Sequence, residues 1–316
     1  MDNIKLDIIE GNLGDTVFKY NKYLKLSNGY FLIRDNRCLQ LCELKNLKFK
    51  TISSSPKFIW TALGILELND KNIMVSGRNF LKILKIENNK FQIIKEFDVN
   101  DYGELLDIYQ LENGKILVNS IMGILILIEK RGNQYEITKK IKIERRNHSI
   151  ECIGDNKIIL IESFYDYSDI RKTKLITSII SILDFSEENI DRKIINSKYK
   201  IEGVTFWIKT IFNLNNGFLL FISGTKIFIF NLNFKEIISI YEMKSLLIDI
   251  ISYKDDDYLC IFNDYTVALA SFKNEFIIKQ IKEYDRKKLL PLRFITMNEK
   301  IYLYCDIVKN HNLILI

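Results

Sequence analysis

The feature that most constrains this chain is a spacing. A polar turn set between two apolar runs recurs at Asn28-Gly29, Asn69-Asp70, Asn113-Gly114, Asp155-Asn156, Asn216-Gly217, Asp256-Asp257 and Asn298-Glu299. Counted from the first residue of each pair, the intervals are 41, 44, 42, 61, 40 and 42 residues. Self-similarity at such a period marks a repeat architecture, in which each unit is one supersecondary motif unable to bury its apolar face alone. The long interval holds an insertion at 163–175, SFYDYSDIRKTKL.

Each turn leads into a second apolar run, at 30–33, 73–75, 116–118, 158–161, 218–222, 258–262 and 301–304. These runs are apolar at nearly every position, as a strand packed on both faces requires. Third strands are expected at 39–44, 81–86, 124–128, 176–185, 227–232, 266–272 and 313–316. Fourth strands such as 91–97 and 135–143 alternate with Lys and Glu, the pattern of an outer strand with one wet side. Residues 207–232 show the unit most clearly, with turns at Asn215-Asn216-Gly217 and Ser223-Gly224-Thr225. Heavy use of Ile, Phe and Tyr fits strands, because such side chains suit a pleated, half-buried surface.

The expected architecture is all-β: a seven-bladed β-propeller of four-stranded antiparallel blades, forming one domain over 1–316. The blades are expected at about 15–55, 60–99, 104–144, 149–196, 207–243, 247–284, and 291–316 together with 4–9. The seventh unit stops after three strands, and the alternating run at 4–9 supplies its fourth by pairing with 313–316, so that the N-terminal strand closes the ring and leaves only short edges. No Pro/Gly/Ser-rich linker interrupts the middle, which disfavours a pair of β-sandwiches.

The unit, an apolar strand, a turn, then Asn-Gly-x-apolar-apolar with Ser-Gly closing the second strand, resembles the WD-repeat propellers, most closely at 68–86 (LNDKNIMVSGRNFLKILKI) and 214–232. The family's Gly-His pair before the first strand and Trp-Asp pair ending the third are absent, so the hydrogen-bond network they support is not carried over. The resemblance implies a divergent WD-like ring that binds partners through one face, the one carrying the loops between blades and the loops between strands two and three.

On that face the 163–175 insertion places Phe164, Tyr165 and Tyr167 beside Arg171 and Lys172. Aromatic and Arg side chains give large contact area with few rotors; the alternative is a solvated loop, since loops tolerate insertion. Basic residues at Arg145 and Arg146, Lys198 and Lys200, and Arg286 and Lys287 would suit an acidic protein, nucleic acid or anionic lipid, although Asp101, Glu104, Glu202 and Asp285 interrupt them. Trp60 and Trp207, at or just before first strands, read as partner anchors or as packing between blades.

Catalytic readings have little material. His148 and His311 are the two histidines, in different units, and no P-loop, dinucleotide turn or Gly-x-Ser-x-Gly occurs. Cys38 and Cys42 are four apart on an expected strand, more than about 13 Å along its rise, which suits packing better than ligation. A metal in the central channel would draw on isolated acids of first strands, Glu67, Asp107, Glu151 and Asp249. The formal net charge is +6, from 46 basic and 40 acidic residues, a weaker excess than a dedicated nucleic-acid binder carries. Five cysteines, four of them in apolar runs, suit reduced buried thiols, and no signal peptide or long apolar span is evident. The leading expectation is therefore a cytoplasmic, non-enzymatic protein-protein interaction scaffold without cofactors, with no membrane span and a protein or peptide partner. The alternatives are a hydrolase-like propeller with a channel metal and an RNA- or anionic-lipid-binding propeller.

Overall fold

The structure is a computed structural model that describes residues 7–9, 23–35, 37–45, 48–58, 62–143, 148–166, 174–187, 191–199, 210–214, 217–254, 257–264, 266–272, 276–283, 290–297, 300–307 and 310–315. Two compact units divide the chain: Met1–Phe18, Lys45–Phe49 and Ile208–Ile316, and Lys19–Leu44 with Lys50–Trp207.

The second unit holds four sheets of four antiparallel strands, apart from residues 45–49. In spatial order these are Tyr23–Lys25, Phe31–Asp35, Cys38–Lys45 and Lys48–Ser54; then Ala62–Glu67, Ile73–Gly77, Phe80–Glu87 and Lys90–Phe97; then Leu105–Gln110, Ile116–Ser120, Ile124–Arg131 and Gln134–Lys142; then His148–Gly154, Lys157–Asp166, Lys174–Asp184 and Asp191–Tyr199. The other unit holds the fifth sheet, Thr210–Asn213, Phe218–Ser223, Lys226–Asn231 and Glu236–Glu242, and the sixth, Leu247–Lys254, Asp257–Phe262, Thr266–Phe272 and Phe276–Glu283. Its third sheet, the seventh in the chain, is built from Leu290–Met297, Lys300–Ile307, Asn310–Leu315 and, at the edge, Asp7–Ile9. Asp7, Ile8 and Ile9 pair with Leu315, Ile314 and Leu313, so the N-terminal strand does complete the last sheet. The one helical turn among the described residues is the 3-10 segment Asn100–Tyr102.

The core is a series of layers between successive sheets. All five residues of Ile116–Ser120 are buried. Ile116 and Val118 enter the cluster shared with the second sheet, with Met74, Leu81 and Ile83, while Leu117 enters the cluster shared with the fourth, with Ile158 and Leu160. Ile73–Gly77 divides in the same way, Met74 to one side and Ile73 and Val75 to the other. Period-two alternation thus serves two cores at once, which is why second strands are apolar throughout. The outer strand Lys90–Phe97 has no fully buried residue, in keeping with its Lys/Glu alternation.

The first corner of the unit has a fixed chemistry. In four sheets a leucine precedes the polar turn: Leu26, Leu68, Leu111 and Leu214, each buried. Its N–H donates to the carbonyl four residues on, at 2.8, 2.8, 2.8 and 3.1 Å. The residue three on has a left-handed backbone, Gly29 at φ +88, Lys71 at +68, Gly114 at +82 and Gly217 at +84, the region that favours glycine. Asn28, Asp70 and Asn113 each accept from the N–H two residues on, at 3.1, 3.2 and 3.1 Å, which is why Asn and Asp recur there. These corners also join neighbouring sheets: Ser27 N–H and hydroxyl both donate to Glu67 at 2.7 Å, Asn69 N–H to Gln110 at 2.8 Å, and Asn113 N–H to Asn156 at 2.6 Å.

Candidate protein-interaction surface

At the other end of the sheets, linkers lie against the turns between strands two and three. Phe58 N–H donates to Arg37 O at 2.6 Å, and Ser55 N–H to Leu39 O at 2.8 Å. Asn79 N–H donates to Gly103 O at 3.2 Å and Ile121 N–H to Glu104 O at 2.9 Å. In the other unit Met243 N–H donates to Thr225 O and Asn263 N–H to Leu246 O, both at 2.9 Å. Within each unit, linkers and strand two–three turns therefore share one end, the arrangement the sequence implied for a loop face.

Serine hydroxyls fasten these contacts, in a chain that lacks the Gly-His and Trp-Asp pairs. Ser55 Oγ accepts from Leu39 N–H at 2.9 Å. Ser120 hydroxyl donates to Tyr102 O and accepts from Met122 N–H at 3.0 Å. Ser245 hydroxyl bonds Asn263 Oδ1 and accepts from Asp264 N–H at 3.1 Å. The buried Arg34 donates from Nη1 to Ala62 O at 2.6 Å, tying the first sheet to the first strand of the second. Gly103 has φ +67, and a Cβ there would stand 2.9 Å from Met122 Cγ, so this linker needs glycine. None of this signals itself in sequence beyond an isolated serine, at a linker for Ser55 and Ser245 and at the end of a second strand for Ser120.

The 163–175 insertion is in part regular structure rather than loop. Lys157–Asp166 and Lys174–Asp184 run past the usual strand end, with Ser163 opposite Ser178, Phe164 opposite Thr177, Tyr165 opposite Leu175 and Asp166 opposite Lys174. The second strand of this sheet has 10 residues, against 5 in the second and third sheets. Residues 163–166 carry the hairpin about 13 Å beyond the position equivalent to Ser120, at the ordinary rise of a strand. Phe164 and Tyr165 lie on that extension. Tyr167, Arg171, Lys172, Arg145, Arg146, Arg286, Lys287, Trp60 and Trp207 lie outside the described residues, as does Lys200, while Lys198 falls within Asp191–Tyr199 rather than in a linker.

Of the four acids of first strands, Asp107 and Glu151 feel each other's charge, and Glu67 and Asp249 have surroundings of their own. Glu67 is taken up by Ser27 at the turn end. Glu151 is pushed up to about 7, by burial first and then by the charge of Asp107. The same two charges, after burial, hold the Tyr109 phenol far above its usual range, and its hydroxyl donates to Ile150 O at 3.1 Å. Asp249 adds to the burial that raises the Cys260 thiol. Among the described residues no three His, Cys, Asp or Glu side chains form a group able to hold a metal ion. No helix among them is long and apolar enough to cross a membrane.

No protein-family model matches the chain, and no curated protein matches it in sequence. Solved structures do match in fold. The WD40 beta propeller domain of Doa1 gives a TM-score of 0.63 at 10% identity, covering 98% of this chain and 96% of that one. A chain of the mitotic checkpoint complex gives 0.68 at 8% identity, covering 99% and 96%. A chain from BBS1N in complex with ARL6DN gives 0.64 at 9%, covering 99% and 97%. Identity this low carries the fold alone, and that fold is a WD-repeat-like β-propeller.

Proposed function

We propose that the chain is a non-enzymatic interaction scaffold of the cytoplasm. Its seven sheets serve as seven blades of a ring closed by the pairing of Asp7–Ile9 with Asn310–Leu315, and its loop end meets a protein or peptide partner. The observation that carries this reading is the projecting hairpin of the fourth sheet, built from the same end that gathers the linkers. Its sequence concentrates Phe164, Tyr165, Tyr167, Arg171 and Lys172, residue types that dominate binding hot spots. Arg145, Arg146, Arg286, Lys287, Trp60 and Trp207 are assigned to the same surface by their places in linkers. Two of the similar folds come from structures of assemblies, the mitotic checkpoint complex and BBS1N with ARL6DN, which supports a protein partner.

The test is capture from the native cell with the intact chain and with residues 164–175 replaced by an Asn-Gly turn. The expected result is loss of a stoichiometric partner with unchanged melting; identical capture by both chains would sink the reading. Stoichiometric calcium or zinc in the purified protein would overturn its non-enzymatic part. Ring closure is tested by removing residues 1–9. Three paired residues, at about 1 kcal/mol for each backbone hydrogen bond, predict a loss of about 3 kcal/mol in urea unfolding, and an unchanged midpoint would count against closure.

A further inference from the structure

Lys139, Lys140 and Lys142 are exposed on Gln134–Lys142, the outermost strand of the third sheet. Its outer backbone edge pairs with no strand among the described residues. On other strands lysines meet acids: Lys82 with Glu96 at 3.0 Å, Lys85 with Glu87 at 3.3 Å, Lys130 with Asp70 at 2.7 Å and Lys279 with Asp257 at 2.8 Å. At 139, 140 and 142 no carboxylate comes within ion-pair distance among the described residues, and the Lys140 ammonium instead sits 4.8 Å from the centre of the Tyr102 ring. Lys140 and Lys142 stand opposite Ile126 and Ile124 on one face of the sheet, and Lys139 stands opposite Leu127 on the other. In sequence the run continues to Arg145 and Arg146, with Glu144 as its one acid.

We infer that this edge binds an acidic segment of a partner protein, laid in extended form beside residues 139–142 as an added strand. Side chains on one face of an extended segment repeat every second residue, about 7 Å apart, the same interval that separates Lys140 from Lys142. Carboxylates at alternate positions of the segment therefore meet both ammonium groups, while the free main-chain edge supplies hydrogen bonds and the lysines supply the choice of partner. The same lysines repel a second copy of this strand, which keeps the edge from pairing with itself. An RNA backbone or a bilayer has no peptide N–H and C=O groups to pair with the free main-chain edge, so it is the poorer fit. The surface is separate from the fourth-sheet hairpin and stands whether or not that reading holds.

The experiment titrates the full chain into a labelled peptide of alternating Glu and Thr, followed by anisotropy, with a Gln/Thr peptide, a single-stranded oligonucleotide and phosphatidylserine vesicles in parallel. The acidic peptide is expected to bind, to protect the amides of 139–142 from hydrogen exchange, and to bind about fivefold more weakly to the chain carrying Lys140→Gln and Lys142→Gln, as loss of two exposed charge pairs implies. The pair Lys85→Gln and Lys90→Gln on the second sheet is expected to leave affinity unchanged. All these positions are exposed, and melting confirms that each variant folds. No binding, equal affinity in the Lys140→Gln, Lys142→Gln variant, unchanged exchange at 139–142, or preference for the oligonucleotide or vesicles would each overturn the inference.

Discussion

The third and fourth sheets pack on one shared core yet turn their first corners differently. The third uses Leu111 to Lys115, closed by Leu111 N–H on Lys115 O, with Gly114 left-handed. The fourth pairs Gly154 directly with Lys157 across Asp155 and Asn156, both left-handed at φ +48 and +58, and has no leucine at the corner. What survives the change is the contact across the sheet boundary. Asn113 N–H donates to Asn156 at 2.6 Å, and Asp155 N–H donates back to Glu112 at 3.2 Å. The repeat is therefore held by what each corner offers its neighbour, and the loop type is free to vary. At the opposite end the fourth sheet departs again, running on into its hairpin where the third closes at 121–123.

The comparison breaks most visibly at the corner side chains. Leu111 is buried and belongs to the cluster shared by the two sheets, whereas Ile153, its counterpart in the fourth corner, is half-buried. Leu111→Ala is expected to cost about 3 kcal/mol, transfer and cavity together, and Ile153→Ala about 1 kcal/mol. Urea unfolding of the two variants measures both. Equal losses would mean that the leucine is not what distinguishes the regular corner.

A second test uses Glu151 and Asp107, acids of the two first strands whose charges act on each other. Glu151 is held at about 7, above the ordinary 4.5, by burial and then by Asp107. Between those two values the folded chain keeps a proton that the unfolded chain has released, so stability falls as pH rises and is lowest above 7. The full effect approaches about 3 kcal/mol. Glu151→Gln removes the penalty: it is expected to match the unaltered chain near pH 5 and to exceed it in unfolding free energy near pH 8. A variant equally stabilised at both pH values would show that packing rather than charge is responsible.

These cases show which parts of the molecule sequence can reveal. The turns at Asn28 and Asn113 were legible because Asx chemistry and a left-handed Gly are local demands, and the turn at Asn69-Asp70 because Asp70 makes the same Asx bond. The pairing of residues 7–9 with 313–315 was legible by counting strands, since the last unit lacked one. The extension at 163–166 read as loop because Asp166, Ser168 and Asp169 signal a turn and a period near forty leaves no room for longer strands. The nearness of Asp107 and Glu151 depends on register between two sheets, which no local pattern encodes. The leucine before each regular turn is a repeated residue too, but a single leucine in an apolar run does not stand out as the Asn-Gly pairs do. The run at 139, 140 and 142 read as ordinary outer-strand alternation, because whether a lysine finds an acid depends on the neighbouring strand.

The smallest expected effect concerns the one regular corner that lacks its glycine. Lys71 holds φ +68 where Gly29, Gly114 and Gly217 stand in the other three. A Cβ in that region costs roughly 1 kcal/mol, and glycine recovers it while giving up part in unfolded-chain entropy, so Lys71→Gly is expected to gain about 0.5 kcal/mol. Lys71 is exposed, so no packing is lost. The reverse change, Gly114→Lys, has open space for its Cβ and would lose about 1 kcal/mol through the backbone alone. Thermal melts of the two variants should move in opposite directions. If both move downward, the second sheet's corner draws something from Lys71 beyond its backbone angle, and the four corners no longer form one class to set against the fourth sheet.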